Sequence, residues 1–174
     1  MVDVPNRLRF PVATTLLFLL VMPTACTRGA HTEEDPGAGP AQGVTADTVL
    51  IGSSSALPGN ASFLGRQLPQ GSLACLKEVN ASGGVSGRQI RLLALDDQYE
   101  PGPAAANTVR LIETERVFAL FDYVGTPTAR AALPAVNEAR IPILGLFTGA
   151  EFLRTPFQPY VYNVRASYYD EAEA

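Results

Sequence analysis

From Thr48 to the C-terminus, short apolar runs alternate with segments whose apolar residues have helical spacing. The runs predicted as strands are residues 49–52, 90–95, 117–121, 142–147 and 160–164, and the predicted helices between them are residues 65–80, 101–116 and 128–140. Regular alternation of this kind favours a parallel sheet covered on both faces by helices, and right-handed crossovers leave few topologies for it. We predict an α/β domain with a doubly wound, mostly parallel sheet in the strand order 2-1-3-4-5.

Two junctions in this pattern place glycine and hydroxyl side chains where a strand gives way to a helix. They are residues 124–128 (VGTPT) and 146–151 (LFTGAE). Unsatisfied N–H groups and the positive end of the helix dipole converge at such places, so they hold small anionic groups well. In the predicted strand order, both junctions and the loop at residues 53–59 face one crevice, where strand order reverses. This arrangement indicates a ligand-binding site rather than a catalytic one.

The composition argues against several other classes of protein. The chain has 174 residues, 47% of them apolar, and a formal charge of −4, which suits one domain with a real core. It has no aromatic-basic stripe, so we expect no nucleic-acid partner. The phosphate-loop, dinucleotide-binding and nucleophile-elbow motifs and a Cys/His metal cluster are absent from the sequence, so we expect no enzyme activity and no cofactor. Asp96 and Asp97 could pair as catalytic carboxylates, but acids at a strand end more often cap the next turn.

The N-terminal residues 1–26 are typical of an export signal. Arg7 and Arg9 precede an apolar stretch at residues 10–22, which is short for a membrane span and suits a signal-peptide core. Residues 23–26 (PTAC) resemble a lipoprotein box with Cys26 as the lipidated residue, although Pro23 departs from the usual leucine. An ordinary leader without lipid is the alternative. Residues 27–46, rich in Gly, Pro and Ala, are predicted as a flexible tether to a domain at residues 47–164.

The other cysteine, Cys75, falls in the first predicted helix beside Leu73 and Leu76. Two cysteines are too few for a disulfide framework. A catalytic thiol would need a base, and the single histidine, His31, lies in the predicted tether. We therefore expect Cys75 to be a small buried apolar residue.

Several segments together resemble a known family. They are residues 78–88 (EVNASGGVSGR), 95–97 (LDD), 104–107 (AAAN), 163–168 (NVRASY) and the two junctions. In combination they are similar to the type I substrate-binding proteins of ABC importers, in the branch that includes leucine/isoleucine/valine-binding proteins. The resemblance implies the N-terminal lobe of a two-lobed extracytoplasmic receptor that closes on an amino acid or a similar small amino acid or amide. It also implies an importer permease as partner, while the lipoprotein-like box at residues 23–26 predicts a lipid anchor in the membrane.

The resemblance also implies a role for particular residues. Gly125, Thr126, Thr128 and Thr148 match positions that hold the ligand carboxylate. The carbonyl of Leu146 and the carboxylate of Asp170 match positions that face the ammonium group. Positions that shape the side-chain pocket correspond to Ala56, Leu57 and Leu64, and Phe147 suggests a ligand with some apolar surface. This chain departs from some family members at two places. They carry a serine where this chain has Gly125. They also have a disulfide between the positions of Tyr99 and Val124, so that bridge is absent from this chain.

Residues 165–174 match the start of a hinge crossover to a second lobe, and the sequence stops at Ala174. We therefore expect a fragment, a truncated reading frame or a lone lobe that forms only half of a binding site. Two alternatives to transport stay open at this point: a receptor lobe that reports ligand occupancy to a signalling partner, and a non-functional truncation product.

Overall fold

A computed structural model of the chain describes residues 41–59 and 62–174. The predicted export signal, Cys26 and residues 27–40 of the predicted tether lie outside the described residues. In the described part, no helix has both the length and the apolar character needed to cross a membrane.

The structure confirms the predicted parallel sheet and its strand order. Its five strands are β1 (Thr48–Ser55), β2 (Gln89–Asp96), β3 (Ala119–Phe121), β4 (Ile143–Leu144) and β5 (Val161–Tyr162). They lie in the order β2-β1-β3-β4-β5, and every neighbouring pair is parallel. The β1–β2 ladder runs for the full eight residues of both strands, whereas β3, β4 and β5 have only three, two and two residues.

Helices connect the strands as the alternation predicts, with bounds that differ by a few residues. They are α1 (Ser62–Ala81), α2 (Pro101–Glu113), α3 (Thr126–Ala139) and α4 (Tyr168–Glu173), with a 3-10 turn at Glu151–Leu153. Proline stands in the first turn of α2 and of α3, where its missing N–H has no helical partner to lose. The third helix therefore begins at Thr126, two residues earlier than predicted.

The helices α2 and α3 cover one face of the sheet and enclose the core with it. Gly52 of β1 faces this side, since a Cβ there would lie 2.9 Å from the Leu111 side chain of α2. The fully buried large side chains of this core come from α2, α3, the strands and the loops after them, namely Leu111, Val117, Leu120, Tyr123, Val136, Ile143, Leu146 and Leu153. This packing fixes the ends of β3 and β4, from which both junctions start.

The opposite face of the sheet carries α1, which packs through small residues. Gly65 and Pro69 are its buried residues, and a Cβ at Gly65 would lie only 2.0 Å from the Ala56 carbonyl oxygen. Cys75 is exposed, so the prediction that it is buried is wrong. Beside α1 the sheet leaves a largely apolar cavity of about 430 Å³, lined among others by Val49, Ile51, Leu76, Ile90, Phe121 and Leu144.

The last residues of the predicted tether contact the domain instead of extending away from it. The Gln42 side-chain amide donates to the carbonyls of Ile112 and Val117, each at 3.0 Å. Val44 forms an antiparallel bridge with Val49. Residues 42–44 thus contact the domain, in contrast to the prediction of a free tether that continues to Ala46.

Candidate functional site

The first junction ends β3 and begins α3 through Gly125, which has φ 103° and ψ 149°. This backbone conformation is open almost only to glycine. A Cβ on Gly125 would also lie 2.5 Å from Cε2 of the Tyr99 ring, so the ring packs directly on the glycine. Among the described residues, no side chain caps the first turn of α3, and that turn contains no acidic residue. Its N–H groups and the helix dipole therefore favour an anion at this point.

The second junction lies directly beside the first. Val124 and Phe147 form a parallel bridge, and the Phe147 N–H donates to the Tyr123 carbonyl at 2.8 Å. The hydroxyls of Thr126 and Thr148 are 2.7 Å apart, and Thr148 is fully buried. The structure thus brings together two threonines that the sequence assigns to different junctions. Their hydroxyls lie at the carboxyl edge of the sheet, next to the start of α3.

Thr128 lies in the same first turn, but its hydroxyl is used within the helix. It donates to the Val124 carbonyl at 2.5 Å and approaches the Gly125 carbonyl at 3.0 Å, and the residue is fully buried. A hydroxyl has one proton to donate. In this arrangement the Thr128 side chain fixes the helix start, and its hydroxyl proton is not directed to a ligand.

Leu146 and Phe147 have different surroundings. Leu146 is buried in the core, and its carbonyl accepts from the Thr148 N–H at 2.9 Å. Phe147 is 38% exposed, and the Arg165 guanidinium lies 5.0 Å from its ring centroid. Both residues line a largely apolar cavity of about 530 Å³ together with Leu68, Phe121, Asp122, Gly145, Val164 and Arg165. Apolar surface is therefore available next to the second junction.

The end of β1 reaches the end of β3 through serines, which the structure places inside the strand and not in the predicted loop at residues 53–59. The hydroxyls of Ser53 and Ser55 approach the Asp122 carbonyl at 3.3 and 3.1 Å, across the position where strand order reverses. Ala56 is fully buried against Gly65. Leu57 lines a different cavity, of about 410 Å³, beside α1.

Leu64, the third residue assigned to the side-chain pocket, is 40% exposed on α1. The structure therefore connects the end of β1 to the end of β3, but it does not place Ala56, Leu57 or Leu64 against the threonine pair.

Asp170 is part of a helix cap. Its carboxylate accepts from the Ser167 N–H at 3.0 Å, while the Ser167 hydroxyl accepts from the Asp170 N–H at 3.1 Å. This reciprocal pair is a capping box at the start of α4. Hydrogen bonds from Ser167 lower the pKa of Asp170, which keeps the carboxylate ionised. The position that the resemblance assigns to the ammonium group thus has a structural task in this chain.

The acidic pair at the end of β2 also stabilises turns. Asp96 accepts from the Leu57 and Gln98 N–H groups at 2.9 and 3.1 Å. Asp97 is fully buried and accepts from the Ser54 hydroxyl at 2.8 Å and the Tyr99 N–H at 2.9 Å. Burial raises the pKa of Asp97. These contacts match the capping interpretation, and Asp97 also holds Tyr99 over Gly125.

A metal site is not formed by the described residues, where no group of three or more His, Cys, Asp or Glu side chains converges. The polar groups at the junctions are instead hydroxyls and N–H groups, which suit a small organic anion.

One residue that the sequence analysis gave no role stands in the site. Tyr168 begins α4, and its hydroxyl lies 3.2 Å from the Thr148 hydroxyl and 3.4 Å from the Thr126 hydroxyl. In the sequence it ends the segment 163–168 that carries the family resemblance and forms an aromatic pair with Tyr169.

Comparison with known proteins agrees with this architecture. The sequence profile of a periplasmic binding protein family matches residues 48–174, and the chain belongs to this family. A possible leucine/isoleucine/valine-binding protein from Rhodopirellula baltica is similar in structure, with a TM-score of 0.68 and 39% identity over 77% of the chain. The substrate-binding protein LivJ of a branched-chain amino acid transporter from Streptococcus pneumoniae, solved with isoleucine, has a TM-score of 0.61 and 25% identity over 70% of the chain.

An amino acid binding protein from Pseudomonas aeruginosa is 33% identical over 94 residues, which are 53% of this chain and 25% of that protein. The chain covers 35% of the Rhodopirellula protein and 34% of the Streptococcus protein. It therefore spans about a third of the length of these solved relatives, and its β2-β1-β3-β4-β5 sheet corresponds to one lobe of a type I periplasmic binding protein fold.

Proposed function

We propose that the chain is the N-terminal ligand-binding lobe of an extracytoplasmic solute-binding protein that serves an ABC importer. Its ligand is a branched-chain amino acid or a similar small amino acid or amide. The observation that carries this proposal is the 2.7 Å contact between the Thr126 and Thr148 hydroxyls beside the uncapped start of α3. Two similar proteins, an amino acid binding protein and a substrate-binding protein solved with isoleucine, support the ligand class.

Recognition at this site needs no covalent chemistry. The first N–H groups of α3 and the two hydroxyls donate to a ligand carboxylate, an acceptor-only group that binds such donors through charge-assisted hydrogen bonds. The apolar cavity that begins at Leu146 and Phe147 receives an aliphatic side chain. Because one lobe desolvates only one side of the ligand, we expect weak binding, with a Kd of about 1 mM for the chain by itself.

The test is a titration of the purified full chain with the 20 amino acids and their small amides, followed by NMR chemical shifts. We expect saturable shifts with leucine, isoleucine or valine. Replacing Thr148 by Val removes a hydroxyl and keeps the shape, and should weaken binding about tenfold. Thr114→Val is the matched control, because Thr114 is exposed at the end of α2. Absence of saturation with every ligand, or equal affinity of the Thr148→Val variant, contradicts the proposal.

The proposal includes anchoring through a lipid on Cys26 and delivery to an importer permease. The anchor rests on the export signal and the lipoprotein-like box in the sequence, and the permease rests on the family to which the chain belongs. Intact-mass measurement on chain extracted from bacterial membranes tests the anchor. We expect an added acyl mass on the mature protein and none on a Cys26→Ser variant. A wild-type mature protein without acyl mass contradicts the lipid anchor.

A further inference from the structure

Tyr168 places a third hydroxyl on the threonine pair. Its phenol oxygen lies 3.2 Å from Thr148 Oγ1 and 3.4 Å from Thr126 Oγ1, while the two threonine oxygens are 2.7 Å apart. The three oxygens therefore form a closed triangle of hydrogen-bonding contacts, which we call the hydroxyl triad. Thr148 is fully buried and Tyr168 is 45% exposed, so the triad reaches solvent on the side of the tyrosine.

Several independent contacts hold the Tyr168 ring in this position. The Tyr168 N–H donates to the Gly149 carbonyl at 2.8 Å. A Cβ on Gly149 would lie 2.7 Å from Cδ1 of the ring, so glycine leaves the space that the ring occupies. The Arg165 guanidinium lies 5.3 Å from the ring centroid and is fixed by an ion pair with Glu171 at 2.5 Å. The phenol is thus oriented before any ligand arrives.

The hydroxyl triad suits an acceptor-only ligand group. Each hydroxyl has one proton and can accept as well, so without a ligand the three hydroxyls satisfy one another. A carboxylate can instead accept their protons, and bonds to an ionised acceptor are about twice as strong as neutral ones. The start of α3 supplies positive potential of the matching sign, while the Arg165 guanidinium is already paired with Glu171. The hydrogen bonds to Thr126 and Thr148 also lower the pKa of Tyr168, as expected when they stabilise negative charge on its oxygen.

We propose that Tyr168 is a ligand-contacting residue whose hydroxyl completes the triad with Thr126 and Thr148, and that the triad selects a ligand carboxylate over the corresponding carboxamide. This inference rests on the proposed function, because it concerns the same site. Unlike a carboxylate, a carboxamide carries no negative charge, and it presents an NH₂ donor in place of one acceptor oxygen. The third hydroxyl therefore contributes more to binding of the acid than of the amide.

The experiment compares the affinities for L-leucine and L-leucinamide in the full chain and in a Tyr168→Phe variant. We expect the variant to bind leucine about tenfold more weakly, while leucinamide binding changes less than about twofold. Tyr169→Phe is the matched control, because Tyr169 is the neighbouring residue and is 68% exposed. Unfolding temperatures of both variants equal to that of the wild-type chain verify that the fold is intact.

The outcomes separate the two proposals. Suppose that the wild-type chain binds leucine, and that Tyr168→Phe either weakens leucine and leucinamide binding equally or weakens neither. The proposed role of Tyr168 is then wrong, and the proposed function stands. If the wild-type chain binds no amino acid or amide, the proposed function is wrong and this inference with it. A loss confined to the acid in Tyr168→Phe, with Tyr169→Phe unchanged, supports both.

Discussion

Replacing Gly125 by Ala should both strain the backbone and displace an aromatic ring. At φ 103° and ψ 149° the residue occupies a region that is almost restricted to glycine, and the added Cβ would lie 2.5 Å from Tyr99 Cε2 and 2.8 Å from its Cζ. Backbone strain of this kind costs about 1–3 kcal/mol, and forcing a methyl group against a packed ring costs about 1–3 kcal/mol more. We therefore expect a loss of about 3 kcal/mol in the free energy of unfolding.

The two contributions can be separated with a double-mutant cycle. Tyr99→Ala removes the ring, so in its background Gly125→Ala should cost only the backbone strain. The coupling between the two sites should then equal the cost of the clash, about 1–3 kcal/mol. Gly71→Ala in α1 is the matched control. A Cβ there meets no atom within 4 Å and its φ is not positive, so a stabilisation of about 0.5–1 kcal/mol is expected.

Urea denaturation followed by far-ultraviolet circular dichroism gives the free energy of unfolding of each variant. If Gly125→Ala lies within about 0.5 kcal/mol of wild type, the backbone conformation at the first junction is not as described. If the loss is large but identical with and without the Tyr99 ring, the ring does not pack on the glycine.

Two further predictions concern an acid and a thiol. Burial raises the pKa of Asp97 above its ordinary value of 3.8, so its contribution to stability is complete below that value and is lost as pH rises through the raised pKa. In urea denaturation, the free energy of unfolding should fall less steeply with pH through this raised pKa in the Asp97→Asn variant than in the wild type. An unchanged slope would show that titration of Asp97 does not cause the fall. In a Cys26→Ser background, the exposed Cys75 should react with a thiol reagent in the native state nearly as fast as in urea, and strong protection would contradict its exposure.

The strand order followed from the sequence because alternation and crossover handedness leave few arrangements of a parallel sheet. The proximity of Thr126 and Thr148 followed in the same way, because each threonine comes shortly after the carboxyl end of one of two adjacent strands, β3 and β4. These are consequences of topology. They do not depend on the details of side-chain packing.

Features that depend on single long-range contacts could not be predicted. Cys75 was expected to be buried because large apolar neighbours suggested an inward side, yet α1 approaches the sheet through Gly65, which has no side chain to create such a signal. Gln42 lies in a Gly/Pro/Ala-rich segment, and its contacts with Ile112 and Val117 leave no mark in local composition. Tyr168 reaches the threonines only because Gly149 leaves room for its ring.

The unequal lengths of the strands have a consequence for how ligand binding and stability are linked. The paired ladder of β1 and β2 has eight residues per strand, whereas β3 and β4, which carry the two junctions, pair over only two positions. Short ladders with few backbone hydrogen bonds open locally at low free energy. In the proposed function, a ligand held by Thr126 and Thr148 joins the ends of these short strands, so we expect its binding energy to suppress local opening there. Under the proposed function, occupancy therefore rigidifies the short β3–β4 pairing more than the long β1–β2 ladder.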